Sequence, residues 1–214
     1  MAVNHSNITS GRHFFYDLAQ WGSISIDRPL SREEFINLAD HYTDCRLERA
    51  QNGKVTIMSP VKEASGNQES IVIGFIYLWW LKHRAGRTYS SSTGIELPDG
   101  SIKCPDAAWV SQNRLDAVPI QNRDGYLQAV PDFIVEVRSE SDRLPQLQEK
   151  MTNVWMKHGV RLGWLIDVRN EKVYIYREQR EMEVISGFAD KELSGEDVMP
   201  DMTLPLNELM VKKS

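Results

Sequence analysis

Apolar positions recur along this chain at two periods, one near 3.6 residues and one of 2, and the switches between them lay out the elements. Ser31-Arg32-Glu33-Glu34 reads as a capping box, with Phe35, Leu38 and Ala39 following at helical spacing, so a helix should run to about Tyr42. Arg46–Ala50 and Lys54–Met58 flank Asn52-Gly53, two residues that tolerate positive φ, and together predict a β-hairpin closed by Pro60. Residues 65 to about 84 make the longest helix. Ile71, Phe75, Leu78 and Trp79 form its inner stripe, widened by Val72, Ile76 and Leu81. Thr88–Thr93 is strand-like. Gly94 and Asp99-Gly100 break the chain before two short strands, Lys103–Val110 and Asp132–Val137. Residues 111–130 form a long connection between those strands, of the kind that serves as a lid or binding segment. Leu144, Leu147, Met151, Val154 and Trp155 define an amphipathic helix starting near Pro145 and stopped by Gly159. Leu162–Val168 and Lys172–Tyr176 are strands around a turn at Arg169-Asn170-Glu171, Glu181–Ile185 is an edge strand, and the tail wraps the sheet.

No internal repeat, low-complexity tract or linker interrupts this order. Residues 1–30 are polar and mixed, with His13-Phe14-Phe15-Tyr16 as the one apolar patch, and read as an N-terminal leader or arm. Residues 31–214 read as a single domain. Helix, hairpin, helix, three strands, helix and strands predict an α/β fold with a central mixed β-sheet flanked by helices.

Charge and composition narrow the function. The 214 residues carry a net charge of −5, with 41% hydrophobic and 26% charged, so the chain is not a generally basic nucleic-acid coat. Contact with phosphates must come from a local patch or a metal. Lys82, His83, Arg84 and Arg87 form one basic cluster, which a helix C-terminus favours on its own account. Trp79-Trp80 reads as core rather than as a stacking platform for bases. Cys45 and Cys104 make neither a CxxC pair nor a disulfide framework and read as reduced thiols. The most apolar run, Ile71–Leu81, is too short to cross a bilayer, and the first residues lack the basic start and apolar stretch of a signal peptide. A cytoplasmic protein is expected.

The chemistry concentrates in the two short strands. Each carries an acid within an apolar run, Asp106 in one and Glu136 in the other. A carboxylate there is costly to desolvate unless it is paired, protonated or bound to a cation. Brought together on adjacent strands, the two would offer hard oxygen ligands to Mg²⁺. Such a metal polarises a phosphodiester and lowers the pKa of a bound water, and a lysine commonly orients that water or offsets the developing charge. Two residues after Glu136 stands Arg138, which stays protonated and cannot be a base but can hold an anion. Lys150 borders the buried face of the following helix. Its spacing fits equally a head bent back to the carboxylates and a solvated flank.

These residues resemble a known signature. Pro105-Asp106 followed by Glu136-Val137-Arg138 is similar to the motif of the PD-(D/E)XK nuclease superfamily. The ordered series Arg46-Leu47-Glu48-Arg49, Ser91-Ser92-Thr93-Gly94, Leu97-Pro98-Asp99-Gly100, Ser101–Val110, Pro131-Asp132-Phe133, Glu136–Ser139, Ser141–Leu144, Leu147–Met151, His158–Asp167 and Leu193–Glu196 more closely resembles the Uma-two family of restriction-endonuclease-like proteins. The resemblance covers roughly residues 45–210. It implies a restriction-endonuclease-like core and a Mg²⁺ site, with Mn²⁺ as the alternative ion. Asp106 and Glu136 match the metal-binding acids, with Val137 beside them, and Lys150 matches a helix lysine. Glu48 matches the acid of the first hairpin, and Gln68 and Glu69 stand where many such nucleases carry an accessory acid. Arg138 and Arg143 are the phosphate-binding candidates. Glu140 departs from the family's usual proline and adds negative charge.

The expected function is a metal-dependent endonuclease hydrolysing DNA phosphodiester bonds, acting as a homodimer. The rival is a binding module for nucleic acid or protein that keeps the nuclease fold and cleaves nothing. The acidic net charge and Arg138 lean toward the rival; Asp106, Glu136 and Lys150 lean toward the enzyme.

Overall fold

The computed structural model describes residues 24–26, 28–119 and 125–210. The His13–Tyr16 patch and Asn122 lie outside the described residues. The chain forms two compact units, Met1–Pro60 with Asp99–Lys103, and Val61–Pro98 with Cys104–Ser214.

The first unit is a small antiparallel sheet with one helix. Strand β1 (Ile24–Ile26), inside the stretch expected as leader, pairs with β3 (Val55–Met58), and β3 pairs with β2 (Arg46–Arg49). Arg49 of β2 also pairs with Ile102 of β6 (Ile102–Lys103). The β2–β3 turn is the one read from Asn52-Gly53: the Asn52 side chain accepts from the Lys54 N–H, and Gly53 sits at φ 81°. A Cβ at Gly53 would also meet the Leu30 carbonyl at 2.8 Å, so the position needs glycine twice over. Helix α1 (Arg32–His41) starts at Ser31 with both halves of the capping box in place. The Ser31 hydroxyl accepts from the Glu34 N–H at 3.1 Å, and Glu34 accepts from the Ser31 N–H at 2.8 Å. Leu30, Phe35, Leu47, Val55, Ile57 and Ile102 are the unit's buried apolar residues.

The second unit is built on a six-stranded mixed sheet. Its strands are β4 (Arg87–Ser90), β7 (Ala107–Val110), β8 (Phe133–Val137), β9 (Leu162–Asp167), β10 (Lys172–Arg177) and β11 (Glu183–Ser186), adjacent in that order. Only β8 and β9 run parallel, because the chain between them crosses over through a helix; every other neighbour is antiparallel. Both central strands are buried throughout, as their continuous apolar runs require.

Alternation then assigns each side chain to a face. Phe133, Val135 and Val137 of β8 join Trp109 and Trp164 in a core with helix α2 (Glu63–His83) and with Leu204 and Leu206 of the tail. Ile134 of β8, Ala108 of β7 and Leu165 of β9 face the other way, against Met151, Trp155 and Val160 of the crossover. Short β5 (Ile95–Glu96) bridges to Leu127, and two short tail strands, β12 (Glu192–Ser194) and β13 (Thr203–Pro205), pair with each other.

Three readings of the sequence need correction. The inner stripe of α2 is Ser65, Gln68, Val72, Ile76 and Trp79, whereas Leu78 is 62% exposed. Residues 71–81 are apolar on nearly every side, so periodicity could not choose the face. The strand expected over 103–110 is interrupted at Cys104–Asp106, between β6 and β7. The connection after β7 contains a short helix, α3 (Gln112–Asp116). Trp79 and Trp80 do pack as core aromatics, donating their N–H groups to the carbonyls of Pro200 and Gly86.

Candidate active site

Glu136 and Asp106 are placed by the same alternation. Glu136 follows Ile134 and Asp106 precedes Ala108, each two positions apart, so both acids belong to the sheet face covered by the crossover helix. The register that pairs Ala107 with Val135 brings Asp106 alongside Glu136. Asp106 stands just outside β7. Its N–H donates to the Val135 carbonyl at 3.0 Å, and its Oδ2 accepts the Val137 N–H at 2.7 Å, a side-chain oxygen serving where a ladder carbonyl would. Both acids are buried, Asp106 at 8% and Glu136 at 3% exposure.

The crossover helix supplies the cation. Helix α4 (Leu144–Lys150) begins with Pro145 in its first turn, as its missing N–H allows, and ends on Lys150. The helix continues as one π-turn, Met151–Trp155, and a 3₁₀ turn, Met156–His158, before Gly159 ends it at φ 91°. Lys150 Nζ lies 2.8 Å from Glu136 Oε1 and donates to the Cys104 carbonyl at 3.4 Å. Lys150 therefore reaches the acid on β8 and the backbone just before Asp106. Its side chain is 17% exposed, so it is not a solvated flank residue. Trp155, with no exposed surface, donates its indole N–H to the same Glu136 oxygen at 2.8 Å. The sequence reading assigned Trp155 only to the apolar stripe. The indole N–H, for which a buried tryptophan usually finds a partner, was the signal that it could do more.

Arg138 is committed elsewhere. Its guanidinium binds Asp167 at 2.6 Å, and its Nε donates to the Asp142 carbonyl at 3.3 Å. Asp167 is 1% exposed and also accepts from Asn170, so this pair ties the end of β8 to the end of β9. Arg143 is exposed at the start of α4. Glu140 is exposed and pairs with Lys62 at 2.7 Å, which holds its carboxyl below the ordinary carboxylate range. Gln68 is buried on α2, and Glu69 is its neighbour on the same helix. Glu48 belongs to the first unit, on β2, where Lys103 Nζ reaches it at 3.0 Å.

The donor set suits a hard divalent cation. Asp106 and Glu136 offer carboxylate oxygens and Val137 a backbone carbonyl, at one end of β8. Among the described residues, no group of three or more His, Cys, Asp and Glu is gathered that could hold a metal ion. A cation here would complete its sphere with water and phosphate oxygens, which Mg²⁺ tolerates and Zn²⁺ structural sites do not.

Comparison with known proteins agrees with this architecture. Among solved structures the chain is similar to the crystal structure of "a putative nuclease belonging to DUF820" from Anabaena variabilis, with 20% identity over 85% of this chain and 97% of that one and a TM-score of 0.68. At that identity the likeness is one of fold. No curated protein matches. The Uma2 (Uma-two) family model, described as "Putative restriction endonuclease", matches residues 32–207. With a match of that extent and a mixed sheet flanked by helices, the chain belongs to the Uma2 family and has a restriction-endonuclease-like α/β fold.

Proposed function

We propose that this protein is a metal-dependent endonuclease hydrolysing DNA phosphodiester bonds. The observation that carries the reading is the Lys150 ammonium at 2.8 Å from buried Glu136, next to the anchored carboxylate of Asp106. Two acids and a lysine at a sheet end are an expensive arrangement to bury unless their charge is used.

In this reading Asp106, Glu136 and the Val137 carbonyl hold Mg²⁺, or Mn²⁺ in its place. The bound ion would supply a polarised phosphate and a water acidic enough to attack it. Lys150 orients that water and offsets the charge that develops on phosphorus oxygens. It takes this role in preference to Arg138, whose guanidinium is engaged with Asp167. Arg143, exposed at the start of α4, is then the cation available to an incoming phosphate. Two copies acting together would cut both strands. No helix among the described residues is long and apolar enough to cross a membrane.

The test is cleavage of plasmid and single-stranded DNA with Mg²⁺ or Mn²⁺, comparing wild type with Asp106→Ala and Glu136→Ala. Metal-dependent cleavage lost in both variants is the expected result. A folded wild type that neither cuts DNA nor binds metal would replace this reading with a non-catalytic binding module.

A further inference from the structure

An α-helix turns about 100° per residue, so side chains five apart point about 140° away from each other and cannot meet one target. Lys150 and Trp155 are five apart, yet both reach Glu136 Oε1 at 2.8 Å. The π-turn between them is the reason. The Met156 N–H is shared between the Thr152 carbonyl and the Met151 carbonyl, the latter an i to i+5 bond, and this wider turn brings residues five apart toward one face. Met151, the first residue of the π-turn, packs on the sheet beside Gly163 of β9, where a Cβ would lie 2.7 Å from the terminal methyl of its flexible side chain.

We propose that Trp155 is a positioning residue for the metal site. Its indole N–H and the Lys150 ammonium converge on one oxygen of Glu136, so the carboxylate cannot rotate about its terminal bond without breaking both contacts. The plane of Glu136 is thereby set for its role as metal ligand. The same indole also fixes Lys150, whose Nζ lies 5.8 Å from the ring centroid. The inference rests on the reading of Glu136 as a metal ligand, and it extends that site to a residue that touches neither metal nor substrate.

The test removes the N–H and keeps the shape. Trp155→Phe is the simple variant; 3-benzothienylalanine at position 155, with sulfur in place of the N–H, keeps the bicycle if the Phe variant fails to fold. Mn²⁺ is titrated calorimetrically into the metal-free protein, kcat and KM are measured on plasmid DNA, and thermal melting checks the fold. The benzothienyl variant should melt with the wild type, bind Mn²⁺ about 10-fold or more weakly, and lose about 10- to 100-fold in kcat at unchanged KM. A variant equal to a Mn²⁺-binding wild type in affinity and kcat would overturn the role of Trp155 alone. A folded wild type that binds no Mn²⁺ would overturn the metal reading beneath it, and this role with it.

Discussion

Two acids bracket β8, four residues apart and each 3% exposed, and the chain treats them in opposite ways. Asp132 sits between guanidinium groups, with Arg114 Nε at 3.2 Å and Arg161 at 3.8 Å, and its Oδ2 takes the Ser111 N–H at 2.7 Å. Its own carbonyl accepts from Arg161 and Leu162. This end of the strand is a staple joining the end of β7, the start of β8 and the start of β9. Glu136, at the other end, shares its surroundings with a second carboxylate and meets a lysine and an indole instead. Arginine is a permanent planar cation suited to fixed pairing, whereas lysine is a compact point charge with mobile protons. Under the proposed function, the difference in partners, not in burial, separates a structural acid from one placed for chemistry.

The most severe way to break that comparison is at Glu136. Glu136→Gln should reduce metal-dependent cleavage by about 10³-fold, since in the proposed site it removes an anionic ligand from beside the reacting phosphate. It should also abolish the stabilisation by Mg²⁺ that the proposed site predicts for the wild type, about 2.7 kcal/mol at a concentration 100 times the Kd. Thermal melting with and without Mg²⁺ reads this independently of cleavage. Asp132→Asn should do the reverse. It leaves Arg114 and Arg161 beside a neutral amide and should cost about 3 kcal/mol of stability in urea unfolding, with cleavage per folded molecule unchanged. If Asp132→Asn impairs cleavage without loss of stability, the division between the two ends of β8 collapses.

The next effect tests the cation rather than the acid. Lys150→Arg keeps the charge but replaces a compact head, fitted between Glu136 and the Cys104 carbonyl, with a broad planar one. It should lower kcat by about 10²-fold while the melting temperature shifts little. The converse swap, Arg114→Lys, loses a fork that also donates to the Val130, Pro131 and Gly159 carbonyls, so it should weaken the fold and leave kcat intact. Unfolding and steady-state kinetics on the pair give the answer.

How far the sequence foretold these roles depends on whether the determinant is local. The capping box at Ser31 and Glu34 and the turn at Asn52-Gly53 are written in adjacent residues, and the helix and hairpin form there. Asp106 and Glu136 stand out because a charge inside an apolar strand demands an explanation. Lys150 is harder. Its spacing fits two orientations, and only packing of the crossover on β8 selects one. The face of α2 was illegible because apolar residues surround it on nearly all sides. The π-turn was hidden for another reason: a pattern read at 3.6 residues per turn assumes the turn it is meant to detect. The partner of Arg138, Asp167, lies 29 residues away on a parallel strand, where sequence spacing carries no information.

A third acid near this strand end sharpens the comparison by contrast. Glu140 is exposed, and its pair with Lys62 at 2.7 Å involves two side chains that are 63% and 78% exposed. Hydrogen bonding and charge from Lys62 lower its pKa from the ordinary 4.5, so the folded state holds this proton less tightly than the unfolded chain. The sign follows from linkage: the contribution is present above pH 4.5 and is lost as pH falls through the depressed value. Glu140→Gln should therefore differ slightly from wild type at neutral pH and converge with it in acid. Because the pair is in water, added salt should erase even that small difference, as it would not for Asp132 or Glu136. Urea unfolding of Glu140→Gln at neutral and acid pH, with and without salt, measures it. A difference that resists salt would mean that Glu140 belongs with the buried acids and not with the surface, and one that grows in acid would overturn the role of Lys62 as its partner.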